Sequence, residues 1–202
     1  EALRASEEMF RVAFDHAPIG VSLTGTDGRW LRVNRSLCEF TGYTEAELLA
    51  SDFQAITHPD DLGKDLDRLG QFLAGTVQSY QTEKRYFHKS GHVIHVHLSV
   101  AMVSDDSGRP LHFVCHITDI TQRKEAQVAL AASENLLRQF IKHSPAAIAM
   151  FDREVRYLQV SDRWLTDYDL AGQSVIGRSH YEFFPDLPDR WKEVHRRVLG
   201  GA

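Results

Sequence analysis

Residues 79–118 read SYQTEKRYFHKSGHVIHVHLSVAMVSDDSGRPLHFVCHIT, and this stretch decides the fold. Polar and apolar residues alternate along three segments, Ser79 to His88, Val93 to Val103 and Leu111 to Thr118. The residues Lys89-Ser90-Gly91 separate the first two segments, and a polar run that ends at Pro110 separates the last two. Alternation with a period of two, interrupted by turn residues, is typical of antiparallel strands. The stretch therefore predicts three consecutive antiparallel strands.

The same alternation predicts which side chains face the interior. Successive residues of a strand point to opposite faces, and the more apolar set is expected to face inward. In the last two strands that set comprises Ile94, Val96, Leu98, Val100, Phe113, Cys115 and Ile117. The opposite set carries the histidines His95, His97, His112 and His116.

Two shorter strands precede this stretch, Ile19 to Leu23 and Trp30 to Val33. The turn Thr26-Asp27-Gly28 joins them, and an Asp-Gly pair readily takes the positive φ that a tight hairpin requires. Residues 3–15 place apolar side chains at helical spacing with charges between them. This spacing predicts an N-terminal amphipathic helix.

Short helices are predicted between the second and third strands. Asn34 can cap the first of them, which ends at Gly42, and Thr44 with Glu47 forms a capping box for the next. The run His58-Pro59-Asp60-Asp61 opens a longer helix, because proline suits its first turn and the carboxylates favour its N-terminal end. This order predicts an α+β fold, a five-stranded antiparallel sheet with short helices on one face and a cavity between them.

The chain also repeats its own pattern 127 positions later. Ser6-Glu7, Arg11, His16 and Pro18 recur as Ser133-Glu134, Arg138, His143 and Pro145. The period exceeds the roughly 20–50 residues of solenoid repeats, so it indicates a duplicated domain. The predicted boundaries are 1–15 for the N-terminal helix, 16–119 for the first domain, 120–142 for a linker helix, and 143–202 for the N-terminal part of a second, incomplete domain.

Composition narrows the class of protein. The 202 residues are 43% hydrophobic and 25% charged, which suits one complete domain plus part of another. A pI near 6.1 and the lack of a Lys/Arg run exclude nucleic acid as an expected partner. Cys38 and Cys115 form no CxxC pair, so a reducing cytoplasm is expected. No apolar run approaches the roughly 18 residues of a membrane span, although the full-length protein could carry an anchor elsewhere.

Several short motifs, taken in order, resemble a PAS domain followed by its terminal DIT signature. They are Gly42-Tyr43-Thr44 with Glu47-Leu48-Leu49, His58-Pro59-Asp60-Asp61, Glu83-Lys84-Arg85-Tyr86, Lys89-Ser90-Gly91 and Asp119-Ile120-Thr121. The resemblance covers residues 6–121. For residues 133–202 it rests on the repeat, because Tyr168-Asp169-Leu170 stands in place of Gly-Tyr-Thr. The first copy is most similar to PAS modules of multidomain bacterial signalling proteins, which are often found upstream of histidine kinase or cyclic-di-GMP output domains.

The resemblance implies a sensor that binds a ligand, a cofactor or a partner and passes strain through its flanking helices. It implies no catalysis, and no catalytic residue is predicted. The predicted pocket residues are Phe40, Phe53, Ile56, Tyr86, Val96, Leu98, Phe113, Cys115 and Ile117.

The family contains flavin and haem proteins, and the residues of this chain bear on both cofactors. In the LOV subfamily of flavin photoreceptors a cysteine forms the adduct and amide side chains hold the flavin edge. Here Phe53 stands at the cysteine position, and Tyr86, Val96 and Ile117 stand at the amide positions, which excludes adduct photochemistry. Flavin bound without an adduct stays open, because aromatic residues such as Trp30 can stack on the ring.

Haem is disfavoured, and no metal site is predicted. Haem-binding PAS domains use a histidine midway along the long helix, and the run from Asp60 to Phe72 has none. His195 lies several residues late on the corresponding helix of the second copy, where we expect a solvent-facing side chain. The four outward histidines could hold zinc or nickel in principle, but no carboxylate or thiol completes the set. That face is instead expected to pack against the N-terminal helix, and no cofactor is preferred.

Signal output is predicted to run through helices. From Asp119 to His143 the chain lacks Gly and Pro, which predicts a continuous helix whose apolar residues mix spacings of three, four and seven. We expect a homodimer through helices 3–14 and 120–141. The resemblance implies that Asp119 contacts the domain, with Lys84 or Arg85 as its partner. The predicted relay residues are Asp119, Thr121, Leu130 and Leu137.

These features predict a sensory region that detects a small ligand or cofactor and relays the signal to an output domain outside the chain. The first alternative is an unliganded PAS module that serves as a dimerisation or protein-interaction spacer. The second is a flavin-binding redox sensor. An enzyme is disfavoured, because a kinase or cyclic-di-GMP domain would lie outside these residues.

Overall fold

The computed structural model describes residues 2–200, and the chain divides into two compact units between Ala126 and Gln127. Within residues 2–200, none of the helices combines the length and apolar character needed to cross a membrane.

The first unit is built on a five-stranded antiparallel sheet, as predicted. Its strands are β1 (Gly20–Gly25), β2 (Trp30–Val33), β3 (Ser79–Phe87), β4 (Val93–Ser104) and β5 (Pro110–Asp119). They lie in the order β2-β1-β5-β4-β3, so the two strands of the N-terminal hairpin continue the sheet beyond β5. The predicted strands are confirmed to within two residues at each end.

Helices occupy the connections. They are α1 (Ala2–Asp15), α2 (Arg35–Thr41), α3 (Glu45–Leu49), α4 (Phe53–Ile56), α5 (Pro59–Leu73) and α6 (Thr121–Lys142). The boundary between the two units falls within α6. The short helix α4 was not predicted, although its signal is present in the sequence: the side chain of Asp52 accepts a hydrogen bond from the Ala55 backbone N–H at 3.0 Å.

The predicted caps position the helices over the sheet. The side chain of Asn34 caps α2, and Thr44 with Glu47 forms the capping box of α3. Gly42 ends α2 with a φ of 77°, a conformation that a side chain rarely adopts. A Cβ atom at this position would also lie 2.4 Å from the His88 ring, so the turn and the β3–β4 connection meet there.

The core lies between the inner face of the sheet and the short helices. All seven residues predicted to face inward from β4 and β5 are buried. The N-terminal helix is less covered than predicted, because Phe14 is buried while Leu3, Met9 and Phe10 are exposed. The guanidinium of Arg32 lies 4.6 Å from the centroid of the Phe14 ring.

The second unit repeats the beginning of the first. It contains β6 (Ala149–Phe151), β7 (Tyr157–Val160), α7 (Asp162–Asp167), α8 (His180–Phe183) and α9 (Asp189–Leu199). The strands β6 and β7 form an antiparallel hairpin, and the side chain of Ser161 caps the helix that follows it. Ser161 stands 127 positions after Asn34, which caps α2 in the first unit.

The alignment of the two copies needs one correction. The sequence comparison set Tyr168-Asp169-Leu170 against Gly-Tyr-Thr, one residue out of register. Asp169 has a φ of 56° and therefore takes the place of Gly42, whose φ is also positive. Aspartate tolerates this left-handed conformation better than most residues do. The copies thus align without a gap through this turn.

Candidate ligand cavity

A cavity of about 50 Å³ lies between the inner face of the sheet and helices α4 and α5. Strands β1 to β5 all contribute to its walls. Its lining residues are Thr24, Trp30, Phe53, Asp65, Leu69, Phe72, Tyr80, Lys84, Tyr86, Leu98, Val100, Phe113, Cys115 and Ile117.

Six of the nine predicted pocket residues line this cavity: Phe53, Tyr86, Leu98, Phe113, Cys115 and Ile117. The other three do not. Ile56 and Val96 are buried in the surrounding core, and Phe40 packs against that core from one side. Phe40 borders a separate surface groove that also contains Asp119. The alternation of polar and apolar residues along β4 correctly predicted that Val96 faces inward. It could not show how far along β4 the cavity extends.

The cavity wall contains a buried ion pair that the sequence analysis missed. The ammonium of Lys84 on β3 bonds to the Oδ2 atom of Asp65 on α5, and their side chains are 4% and 6% exposed. The Lys84 Nζ also lies 4.8 Å from the centroid of the Tyr86 ring and 5.1 Å from that of Phe53. Burial lowers the pKa of Lys84, and the Asp65 carboxylate opposes that shift.

Strand alternation explains why a lysine faces inward here. Lys84 lies on the same face of β3 as Tyr80 and Tyr86, and all three side chains line the cavity. The next residue, Arg85, lies on the opposite face and contacts the N-terminal turn of α5. Arg85 donates to Asp61 at 2.9 and 3.0 Å and to Asp60 at 3.2 Å. The hydrogen bonds from Arg85 to Asp61 lower the pKa of Asp61 to about 2.

The predicted partner of Asp119 is therefore wrong. Both Lys84 and Arg85 are bonded to aspartates of α5, and the Asp119 carboxylate instead accepts the Thr121 backbone N–H at 2.8 Å. Asp119 thus forms a local turn just before α6 and does not tie the helix to β3. A short polar side chain before a helix favours this local bond, which needs no distant partner.

A different pair of contacts ties α6 to the sheet. The carboxylate of Glu83 on β3 accepts from Arg123 at 2.7 Å and lies 2.5 Å from the Nζ of Lys124. The hydroxyl of Thr121 accepts the His95 backbone N–H of β4 at 2.9 Å. Of the predicted relay residues, Asp119 and Thr121 lie at this junction. Leu130 and Leu137 lie further along α6 and are 61% and 57% exposed.

Trp30, one of the lining residues, carries an unpaired donor. Its side chain is 3% exposed, and its indole Nε1 is buried without a hydrogen-bond partner among residues 2–200. Cys115 lies nearby on the wall, with its Sγ 3.9 Å from the Thr24 hydroxyl. Burial raises the pKa of the Cys115 thiol, so the sulfur is protonated and a poor nucleophile at neutral pH.

The histidines of the outer sheet face form no metal site in the described part of the chain. There, no three or more His, Cys, Asp or Glu side chains are grouped closely enough to hold a metal ion. His116 instead borders an apolar groove shared by α1 and the outer face of the sheet, with Phe10 and Phe14 on the helix side.

A five-stranded antiparallel sheet with a small cavity beneath short helices defines an α+β domain. Residues 31–117 match the sequence profile of the PAS fold family. This part of the chain matches the PAS family, as the motifs around Gly42 and His58 predicted.

Two of the similar proteins of known sequence come from bacteria. The chain is 40% identical over 122 residues to the probable diguanylate cyclase DgcE of Escherichia coli, covering 60% of this chain and 11% of that protein. It is 32% identical over 129 residues to the sensor histidine kinase TmoS of Ectopseudomonas mendocina, covering 64% of this chain and 13% of that protein. The chain thus spans little more than a tenth of the length of these relatives.

Solved structures share the fold at lower identity. A PAS domain from Colwellia psychrerythraea covers 60% of this chain and 99% of its own, with a TM-score of 0.53 and 16% identity. The PAS domain of an HTR-like protein from Haloarcula marismortui covers 59% of this chain and 95% of its own, with a TM-score of 0.51 and 21% identity. At these identities the likeness supports the fold alone.

Proposed function

We propose that this chain is the sensory region of a bacterial signalling protein, and that a small molecule in the cavity of the first unit controls an output domain through α6. One observation carries the proposal. Lys84 and Glu83 are adjacent on β3, and Lys84 pairs with Asp65 at the cavity while Glu83 pairs with Arg123 and Lys124 of α6.

This adjacency supplies a physical route. Neighbouring strand residues point to opposite faces, so a shift of β3 moves an inward and an outward side chain together. A ligand that hydrogen-bonds to the Lys84 ammonium beside Asp65 changes the position of β3 at the cavity. The same change alters the distance between Glu83 and the first turn of α6. Ionic contacts of this kind are sensitive to small displacements, because their energy depends directly on distance.

The output is assigned by class. DgcE is named a probable diguanylate cyclase and TmoS a sensor histidine kinase, and in both the region similar to this chain is a small part of the protein. We propose an output domain of one of these classes outside residues 1–202, and no catalytic activity in the chain itself. Cys38 and Cys115, which form no disulfide with each other, fit a cytoplasmic setting.

The relay is proposed to act in a homodimer. The α6 residues Ala126, Leu130, Ser133, Leu137 and Phe140 follow the spacing of four and three that a coiled-coil seam requires. The apolar members Leu130, Leu137 and Phe140 are all exposed, as are Leu3 and Met9 of α1. Exposed apolar stripes of this kind are typical of surfaces that bind a partner.

The second unit is proposed to begin a second PAS domain. Its hairpin, its capping serine and its positive-φ residue Asp169 occupy the positions of the corresponding features of the first unit. The expected boundaries at residues 16–119, 120–142 and 143–202 follow from this reading.

The small volume of the cavity bears on the two alternatives. A flavin ring system needs a site of a few hundred Å³, as drug-sized ligands do, and about 50 Å³ does not hold it. The same volume favours the unliganded spacer as the second candidate, because Phe53, Tyr86 and Phe113 fill much of the space between sheet and helices.

A chimera tests the proposed relay. The 122 matched residues of DgcE are replaced by the corresponding residues of this chain, and cyclic-di-GMP formation is measured. Replacing the ion pair by Lys84→Met with Asp65→Leu should change the output, and adding Glu83→Gln should abolish that change. Glu47→Gln is the matched control, because it breaks the exposed Lys89 pair without contact to α6. The proposal would be contradicted if the folded chimera formed cyclic-di-GMP at the same rate with and without the Lys84→Met and Asp65→Leu substitutions. It would also be contradicted if Glu83→Gln and Glu47→Gln had the same effect.

A further inference from the structure

We infer that the cavity of the first unit takes a small uncharged molecule that carries a hydrogen-bond acceptor, such as a short-chain ketone, aldehyde or alcohol. This inference rests on the proposed ligand-sensing function and names the chemical class of the ligand. Charge balance, unpaired donors and volume each support it.

The charge balance of the wall excludes ions. Lys84 and Asp65 are the charged residues among the lining side chains, and they neutralise each other in a direct ion pair. A carboxylate or an amine in the cavity would add a third charge at a site where Lys84 and Asp65 are almost completely shielded from water. Burying an unpaired charge is far less favourable than burying a neutral polar group. The ligand is therefore uncharged.

The polar groups of the wall call for an acceptor. The Trp30 Nε1–H is a donor without an acceptor in the described part of the protein. The Lys84 ammonium has three donors, and its one hydrogen-bonded partner here is a single oxygen of Asp65. An unpaired buried donor is unfavourable, so a ligand oxygen that accepts from the Lys84 ammonium, or from Trp30 once its enclosed indole turns towards the cavity, removes a defect of the unliganded protein. A pure hydrocarbon would leave that defect in place.

Volume and lining set the size and the apolar part. At roughly 10–15 Å³ for each water-sized group, about 50 Å³ accommodates roughly three to five non-hydrogen atoms. Apart from the polar groups already named, much of the wall consists of apolar side chains, including Leu98, Val100 and Phe113. A short alkyl group fits against these side chains. The ligand is thus a polar head on a two- to four-carbon chain.

The test uses the indole N–H signal of Trp30 in two-dimensional NMR spectra of the 202-residue chain. The three tryptophans are Trp30, Trp164 and Trp191, and their indole signals are assigned by substitution. The probes are 2-butanone, its hydrocarbon isostere 2-methyl-1-butene, the anion propionate and the cation propylammonium. We expect 2-butanone alone to shift the Trp30 signal saturably, with millimolar affinity, because so few atoms can contribute little binding energy.

Two variants separate a specific hydrogen bond from simple filling of space. Trp30→Phe should weaken binding of 2-butanone about fivefold or more, as expected for the loss of one hydrogen bond, measured by ligand-observed NMR. Trp164→Phe is the matched control, because the Trp164 Nε1 is likewise buried without a partner but lies in the second unit. It should leave binding unchanged.

The outcomes distinguish the inference from the function on which it rests. Equal or tighter binding of propionate or propylammonium, or of 2-methyl-1-butene, would overturn the assigned chemical class while leaving ligand sensing intact. Unchanged affinity in Trp30→Phe would overturn the role of the indole donor. If neither these probes nor a general library of small molecules shifts the Trp30 signal, ligand sensing itself fails and the unliganded spacer is the better account.

Discussion

Asn34 of the first unit and Ser161 of the second make the same three side-chain hydrogen bonds, 127 positions apart. The Asn34 Oδ1 accepts from Val21 and Leu37, and its Nδ2 donates to the Ile19 carbonyl. The single hydroxyl of Ser161 does the same with Ile148, Trp164 and Ala146, at 2.9, 3.0 and 2.9 Å. In each unit one polar side chain joins the N-terminal hairpin to the helix that follows it. Asn34 makes a fourth bond, to the Phe14 carbonyl of α1.

This relationship predicts how replacing Asn34 by alanine or by serine changes the stability of the first unit. Asn34→Ala leaves the backbone N–H groups of Val21 and Leu37 and the carbonyls of Ile19 and Phe14 without the Asn34 partner, and we expect it to lower the free energy of unfolding by about 2–4 kcal/mol. Asn34→Ser keeps three of the four bonds and should lower it by less than half as much. Urea unfolding followed by circular dichroism checks both values. Equal losses for serine and alanine would show that the shared hydrogen bonds are not the source of the stability.

The buried pair of Lys84 and Asp65 predicts a strongly non-additive pair of substitutions. Either Lys84→Met or Asp65→Leu alone leaves one charge buried without its partner, which should cost about 3–5 kcal/mol of stability. The double substitution removes both charges and should lie within about 1 kcal/mol of the original chain. A double-mutant cycle from urea unfolding measures the coupling. Additive losses would mean that the two side chains are solvated separately in solution.

Asp61 predicts how the stability of the first unit depends on pH. The Arg85 guanidinium holds the pKa of Asp61 at about 2, below its ordinary value of 3.8. Because the folded state binds this proton more weakly, the stabilisation is present above the unfolded pKa and is lost as the pH falls from 3.8 towards 2. The pair is partly exposed, so we expect solvent to reduce its contribution to about 1 kcal/mol.

The comparison with Asp61→Asn isolates this contribution from those of other carboxylates. The variant should be less stable at neutral pH, and the difference from the original chain should vanish near pH 2. Thermal unfolding at a series of pH values records it. A difference that stays constant between pH 5 and pH 2 would indicate that the ion pair with Arg85 contributes nothing and that the substitution acts by packing.

The exposed seam of α6 predicts a change of oligomeric state. Leu137→Glu places a charge in the proposed seam and should shift the chain from dimer to monomer in sedimentation equilibrium. Val128→Glu is the matched control, because Val128 is 70% exposed but lies off the seam. It should leave the dimer intact. A dimer that survives Leu137→Glu would place the interface elsewhere, with α1 as the next candidate.

Local features of the sequence determined most of the fold of the first unit. Strand alternation, turn residues and helix caps act between residues close in the chain, so the strands from β1 to β5 and the cap at Asn34 could be read without knowledge of tertiary contacts. The inward face of β4 and β5 followed in the same way. Helix α4, which has a single turn and therefore almost no periodicity, was missed although Asp52 caps it.

Tertiary structure decided the chemistry of the cavity. The sequence shows Lys84 as one of several charged residues on a strand, and only the packed sheet shows that it is buried and paired with Asp65. The partner of Asp119 was wrongly predicted for the same reason: four aspartates lie on α5, and the distances that select Asp61 and Asp65 arise from the way α5 crosses β3.

The internal repeat of the sequence and the resemblance of the first unit to the PAS family could thus be predicted from the sequence itself, because both depend on the order and spacing of residues along the chain. The size of the cavity, the unpaired Nε1 of Trp30 and the contact between Glu83 and α6 depend on side chains that meet from distant segments. Replacing one lining side chain by a larger or smaller one changes the volume of the cavity. It does not change the alternation of polar and apolar residues, the turns and the caps that specify the fold.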